Sequence, residues 1–191
     1  MKAAGIDGLA TSIVTNSSFA IVNGLKQQGI NLKVNLLPTG YGGDLIGGGP
    51  GAEHSAQGSY FLTGAQPVEL HTAATEQFQA ALKTYAGVTG LPTFSEYNGY
   101  LAIAALEAGL KAGGTNQTQA QLINTMLNLK GFDGRGLWGG HKLSFAMADR
   151  GTISSIDNCI WFEQYVGTEF IPVKGFSPIC GSVIPGERVP K

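Results

Sequence analysis

The chain has 191 residues, a formal net charge of −1 and only 13% charged residues. So sparsely charged a surface offers no basic stripe for a nucleic-acid backbone, which excludes that class of partner. The length suffices for one or two small cores, and a hydrophobic content of 43% is ordinary for a globular chain.

In chain order, residues 8–14 are small, apolar and partly β-branched, as in a buried strand. Asn16, Ser17 and Ser18 are good helix N-caps, and Phe19, Val22 and Leu25 recur at helical spacing before Gly29, which stands where a helix-ending glycine belongs. Residues 33–37 predict a second strand. A strand–helix–strand unit of this kind makes the two strands parallel, because parallel neighbours need a crossover. Residues 38–51 are dense in glycine, which predicts a loop with at most one short turn. A third strand is expected over residues 58–63.

Three helices follow. Thr72 caps the first, which places Phe78, Ala81, Leu82 and Tyr85 on one face. Ser95 opens the second, whose small face of Leu101, Ala104, Ala105 and Ala108 suits close packing. Thr118 and Gln121 form a capping box for the third, ahead of Leu122, Ile123, Met126 and Leu127, with Gly131 ending it. The remainder reads as short strands over residues 137–139, 143–145, 160–166 and 170–173, with Gly167-Thr168 turning a hairpin between the last two. Residues 181–191 read as a loose tail.

The apolar stretch 101–110 contains Glu107 and is shorter than the roughly 20 residues of a membrane span. Residues 2–7 show no apolar signal-peptide core. Cys159 and Cys180 are the two cysteines, each beside turn-forming residues. Joined, they would close a loop of about 20 residues, worth about 3 kcal/mol, and would imply an oxidising compartment. The alternative is a pair of unrelated buried thiols.

Chemistry is sparse. His54, His71 and His141 lack the helical spacing of zinc hydrolases, and two cysteines alone make no Cys-rich zinc site. There is no Gly-x-Ser-x-Gly elbow, and the glycines at 47–51 lead into no phosphate-loop lysine. Glu163 and Glu169 are expected to bracket and solvate the hairpin turn, and Asp133 and Arg135 to flank a turn at Gly134. Asn16-Ser17-Ser18 and Asn116-Gln117-Thr118 match the glycosylation pattern but sit at helix starts. No catalytic residue, metal site or cofactor is predicted, and the expectation is a protein that is not an enzyme.

Several segments in order resemble one family. They are Lys2-Ala3-Ala4-Gly5-Ile6-Asp7-Gly8-Leu9-Ala10, the helix from Ser18 to Gln28 with Gly29, and Leu37-Pro38-Thr39-Gly40-Tyr41-Gly42. Ala56-Gln57-Gly58-Ser59-Tyr60, Tyr97-Asn98-Gly99-Tyr100-Leu101-Ala102 and Phe132-Asp133-Gly134-Arg135-Gly136 continue the series. Together they are similar to the type I periplasmic solute-binding proteins of ABC transporters, in the branched-chain amino acid (Leu/Ile/Val-binding) group. The resemblance implies an α/β fold with a mostly parallel sheet flanked by helices, lacking most of an N-terminal lobe. Residues 1–64 would belong to the C-terminal lobe, 65–135 would complete the N-terminal lobe, and 136–191 would return.

The implied function is binding of a small amino-acid-like or organic solute in an interlobe cleft, with ABC permease subunits as partners and an extracytoplasmic location. The implied contacts are Val14, Thr15, Asn16 and Ser17 after the first strand, Thr39, Gly40 and Tyr41 after the second, and Glu96 and Tyr97 at a helix start. Backbone N–H groups at such starts suit a carboxylate. Thr39 stands where amino-acid binders of the family place a Glu for the ligand's ammonium, unless Asp44 or Glu53 takes that role. A neutral hydroxyl cannot make that charge-assisted bond, so amides, short acids and aromatic acids come into range. The alternatives are a sensing receptor of the same fold, an α/β enzyme with an unrecognised site, or a truncated fragment that binds nothing and self-associates through exposed lobe surface.

Overall fold

The computed structural model describes residues 5–145, 159–175 and 177–182. A strand β1 (Gly8–Ala10), helix α1 (Thr15–Gln27) and strand β2 (Val34–Leu37) form the expected crossover unit. Then come α2 (Gly43–Gly47), α3 (Gly49–Ala56), β3 (Tyr60–Thr63), α4 (Ala73–Ala86), α5 (Phe94–Gly113) and α6 (Gln119–Leu127). The chain returns through β4 (Cys159–Val166), β5 (Glu169–Pro172) and β6 (Ile179–Cys180).

The sheet runs β1-β2-β3-β4-β5, and β6 pairs with β4. Parallel pairing joins β1 to β2 and β2 to β3. The returning strands are antiparallel: β4 lies against β3 with Phe61 opposite Glu163, and β5 folds back on β4 with Phe170 opposite Tyr165. Side chains alternate across a strand, so Trp161, Glu163 and Tyr165 share the inner face of β4, and all three are buried.

The main core gathers on that face, where Phe19 and Val22 of α1 pack with Leu37, Leu45, Phe61, Phe78, Tyr97, Tyr165 and Phe170. A smaller cluster holds Ala104 and Ala105 of α5 against Phe132. The opposite face carries Val34, Leu36, Tyr60, Phe162, Val173 and Ile179 along a shallow groove, and Val34, Val173 and Ile179 are exposed. Among the described residues no helix is long and apolar enough to cross a membrane.

Five local expectations are corrected. Helix α1 starts one turn earlier than its polar residues indicate: Val14 is the N-cap, and its carbonyl accepts from the N–H groups of Ser17 and Ser18. Ser18 is instead buried and bonded to Thr11, 3.0 Å between hydroxyls. Helix α5 is capped by Thr93 rather than Ser95, in a reciprocal box with Glu96. The hairpin, the caps at Thr72 and Thr118, and Gly29 at positive φ after α1 all occur where expected.

The third correction is the glycine-rich stretch, which holds two short helices. Tertiary contacts outweigh its poor helix propensity. Leu45 is fully buried, Pro50 sits in the first turn of α3, and the Gly43 N–H donates to the Pro92 carbonyl at 3.0 Å. The fourth is the region 137–145, which contains no named strand and makes only an isolated bridge between Phe132 and Leu143. Gly134, Arg135 and Gly136 wind a short 3-10 turn, and Gly139 and Gly140 also take positive φ, so no extended run forms. Helix α6 stops at Leu127, before Gly131.

Cys159 and Cys180 lie directly opposite each other on β4 and β6 and are joined by a disulfide.

Two glycines separate packing from propensity. Gly42 has φ +67°, and a Cβ there would lie 2.4 Å from the Pro92 carbonyl oxygen, whereas Gly47 has nothing within 4 Å. Gly42→Ala is expected to destabilise by about 2 kcal/mol or more. Gly47→Ala is expected to stabilise by roughly 0.5 kcal/mol, or to leave stability unchanged. Urea unfolding of the two variants beside the wild type checks both signs.

Candidate ligand-binding cleft

Ligands of open α/β sheets sit beyond the carboxyl ends of the strands. A cavity of about 260 Å³ lies there. Its floor is the segment after β2, from Pro38 to Tyr41, together with the end of β3 and its exit, from Leu62 to Ala65. Phe94, Tyr97, Asn98 and Leu101 on the first turns of α5 form one wall, and Trp138 closes it. Among the described residues that line it there is no Asp, Glu, His, Lys or Arg.

The aromatic walls are held from behind. The Tyr41 hydroxyl donates to the Glu69 carboxylate and accepts from the Val68 N–H at 3.1 Å. The Tyr97 hydroxyl donates to the Gln66 carbonyl at 3.2 Å. Both phenols are therefore anchored to the segment between β3 and α4, with ring centroids 6.2 Å apart. Gly40, at φ +102°, admits no side chain, because a Cβ would lie 2.8 Å from the Thr15 methyl group and 3.2 Å from the Phe61 ring. The polar side chains at the cavity are Thr39, Thr63 and Asn98. Thr39 donates to the Ile13 carbonyl at 3.0 Å, Thr63 to the Ala65 carbonyl, and the Asn98 amide to the Phe94 carbonyl at 2.8 Å. Each keeps acceptor capacity on its oxygen.

Of the contacts expected from sequence, Thr39, Gly40, Tyr41 and Tyr97 meet at this one cavity. Thr15 touches the same place only through its methyl against Gly40. Val14 is 71% exposed, and Asn16 and Ser17 lie in the first turn of α1 outside the lining. Glu96 is occupied elsewhere: its carboxylate accepts from the Thr93 N–H at 2.6 Å and the Thr93 hydroxyl at 3.0 Å. The Phe94 N–H is bonded to Asp44 at 2.8 Å, so the start of α5 already has two carboxylates and does not await a third. Glu53 accepts from the Tyr165 hydroxyl at 2.7 Å. Neither Asp44 nor Glu53 reaches the cavity.

Sequence reasoning missed Thr63, Phe94, Asn98, Leu101 and Trp138. Thr63 carried a usable signal, since it ends the third predicted strand. Trp138 carried none, because only the return of the chain brings it across the cleft.

The acids behind the cleft are a further correction. Glu163 is fully buried on the inner face of β4, not solvated at the turn. Neither of its carboxyl oxygens has a partner among the described residues. Burial, and secondarily the charge of Glu69, push its pKa up to about 9, so it is a neutral acid at pH 7. Burial also raises Glu69, against the opposing pull of the Tyr41 hydrogen bond. Tyr41 and Tyr97 are raised mainly by burial and stay protonated. Tyr41, Tyr97 and Glu163 therefore keep their protons at neutrality.

A family model described as periplasmic binding protein matches residues 1–166. The chain belongs to that family, whose members occupy extracytoplasmic space and bind solutes. Among solved structures it is similar to a solute-binding protein of an ABC transporter from R. palustris, in complex with benzoate. The TM-score is 0.61 at 13% identity, covering 95% of this chain and 46% of that one. It is also similar to the leucine-binding protein LivK from Thermotoga maritima, with a TM-score of 0.58 at 13% identity, covering 87% of this chain and 43% of the other. The chain thus spans less than half the length of each. A comparison with curated protein sequences found no match.

Glu163 makes stability pH-dependent. Its folded pKa of about 9 lies above the ordinary 4.5, so the folded state holds a proton that the unfolded state releases between those values. Stability is expected to fall as pH rises from about 5 towards 9, by at most about 1.4 kcal/mol per unit. Glu163→Gln is expected to flatten that slope, which melting temperatures across the pH range read directly.

Proposed function

We propose that the chain is the C-terminal part of a solute-binding protein serving an ABC-type uptake system, and that its solute is a small aromatic molecule. The observation that carries this reading is the cavity at the strand ends, walled by Tyr41, Phe94, Tyr97 and Trp138, with no Asp, Glu, His, Lys or Arg among the described residues that line it. Apolar aromatic walls with a few convergent polar atoms are the usual make-up of a small-molecule site. A free amino acid would bury its ammonium beside no carboxylate, a heavy desolvation cost. An aromatic amide, or an aromatic acid bound in its neutral form, can stack on the rings and donate from its polar end to the oxygens of Thr39, Thr63 or Asn98. That the R. palustris protein carries benzoate is in keeping with a solute of this size.

In this reading residues 1–64 and 136–191 form the sheet lobe and residues 65–135 contribute to the other lobe. Hinge closure over the solute then presents a closed surface to the permease. The site lies outside the cytoplasm, where a disulfide persists. The open apolar face of the sheet is where the remainder of the protein, or a second copy, packs.

Calorimetric titration of the full-length protein with benzamide, benzoate and leucine tests the solute class. Saturable binding of one or both aromatic solutes is expected, with leucine silent. Trp138→Ala is expected to weaken that binding about tenfold or more, as loss of a buried aromatic contact does. Binding of leucine alone would overturn the aromatic assignment.

A further inference from the structure

Away from the cleft, the returning chain gathers the Sγ atoms of Cys159 and Cys180 and a ring nitrogen of His141, all within 4.8 Å of one another. The cysteines are directly opposite on β4 and β6, so the backbone ladder fixes their separation. His141 comes from the turn after Trp138, where its N–H donates to the Trp138 carbonyl at 3.0 Å. Its ring stands edge-on to Trp161, with centroids 6.4 Å apart. The sequence alone gives no hint of this, since His141 and Cys159 are separated by a long connection. Beside His141 and Cys159 opens a mainly apolar cavity of about 210 Å³, with Gly64, Trp138 and Trp161 among its walls.

With the disulfide formed, the two sulfurs are bonded to each other and cannot serve as thiolates. With both cysteines reduced, the same positions offer two thiols and an imidazole. The Cα atoms of Cys159 and Cys180 are 4.0 Å apart, and two thiolates at about 2.3 Å from one metal ion can span a gap of that size. An imidazole at about 2.0–2.1 Å supplies a third ligand. Two thiolates and one histidine are a donor set suited to Zn²⁺ or Co²⁺.

We propose that the reduced form of this chain binds one thiophilic divalent cation through Cys159, Cys180 and His141, and that this state and the disulfide exclude each other. On metal binding, two thiol protons leave for solvent and neutral imidazole donates a lone pair to the ion. On oxidation by a disulfide-bearing oxidant, the two thiols lose two protons and two electrons. Their own S–S bond forms, the oxidant's S–S bond breaks, and the oxidant leaves as two thiols. The metal occupies the sulfur lone pairs that attack a disulfide, so it retards oxidation.

The test is an anaerobic titration of the phosphine-reduced chain with Co²⁺. One Co²⁺ per chain is expected, with a thiolate-to-cobalt charge-transfer band and the intense visible bands of a four-coordinate ion. Zn²⁺ should displace it and slow reoxidation by glutathione disulfide. The oxidised chain and a Cys159→Ser/Cys180→Ser variant should show no thiolate band. Since loss of an outer-shell partner already costs 10–100-fold in metal affinity, His141→Ala is expected to weaken binding by at least about tenfold. Absence of the thiolate band overturns the proposal, as does a His141→Ala variant that matches wild type in spectrum and affinity. Loss of the far-ultraviolet circular dichroism of the fold on reduction also overturns it, because the site requires β4 and β6 to stay paired.

Discussion

A continuous run of aromatic contacts links the sheet to the helical segment. Phe19 of α1 meets Phe61 of β3, Phe61 meets Phe170 of β5, and Phe170 meets Tyr41, with centroids 6.5, 5.4 and 5.0 Å apart. Tyr41 then reaches Tyr97 of α5, which packs on Phe78 of α4 at 4.6 Å. Edge-to-face and tilted pairs of this kind add about 0.5–1.5 kcal/mol each beyond burial. Two links in the run, Tyr41 and Tyr97, are also walls of the cleft. The same contacts that join the parts of the fold therefore fix the shape of the site.

The run depends on the antiparallel return of the chain. Helices α4, α5 and α6 intervene before β4 reaches β3, and β4 then buries Trp161, Glu163 and Tyr165 against the core. A carboxylic acid at the middle of that face is tolerated because it remains neutral. Ionised, it would be an unpaired buried charge, which is far costlier than a buried neutral acid. Beyond the core, β4 continues to Cys159, where the disulfide ties it to β6. One strand thus carries the closing contact of the core, its buried acid and the covalent link to the tail.

Much of the fold was legible because local signals and tertiary packing agree. The crossover unit, the caps at Thr72 and Thr118, the hairpin at Gly167-Thr168 and the order of family-like segments all rest on near-neighbour chemistry. Errors arose where a distant segment decided the outcome. Residues 43–56 become helical because Leu45 is buried and Gly43 meets Pro92. Glu163 was expected to bracket the hairpin turn with Glu169, yet the pleat of β4 turns it inward with Trp161 and Tyr165. Glu96 is a local exception: it looked available for a ligand, but the capping box with Thr93, three residues away, engages it.

The sequence by itself determined the strand–helix–strand unit, the alternation that gives β4 an inner face, the helix caps at Thr72 and Thr118 and the strand-end residues Thr39 to Tyr41. These follow from backbone preference and periodicity, which act over a few residues. Tertiary structure decided which residues share a cavity, which acids lose their charge, and that His141 stands beside two cysteines. Those outcomes depend on distance and dielectric between segments remote in the chain, and no local pattern encodes them.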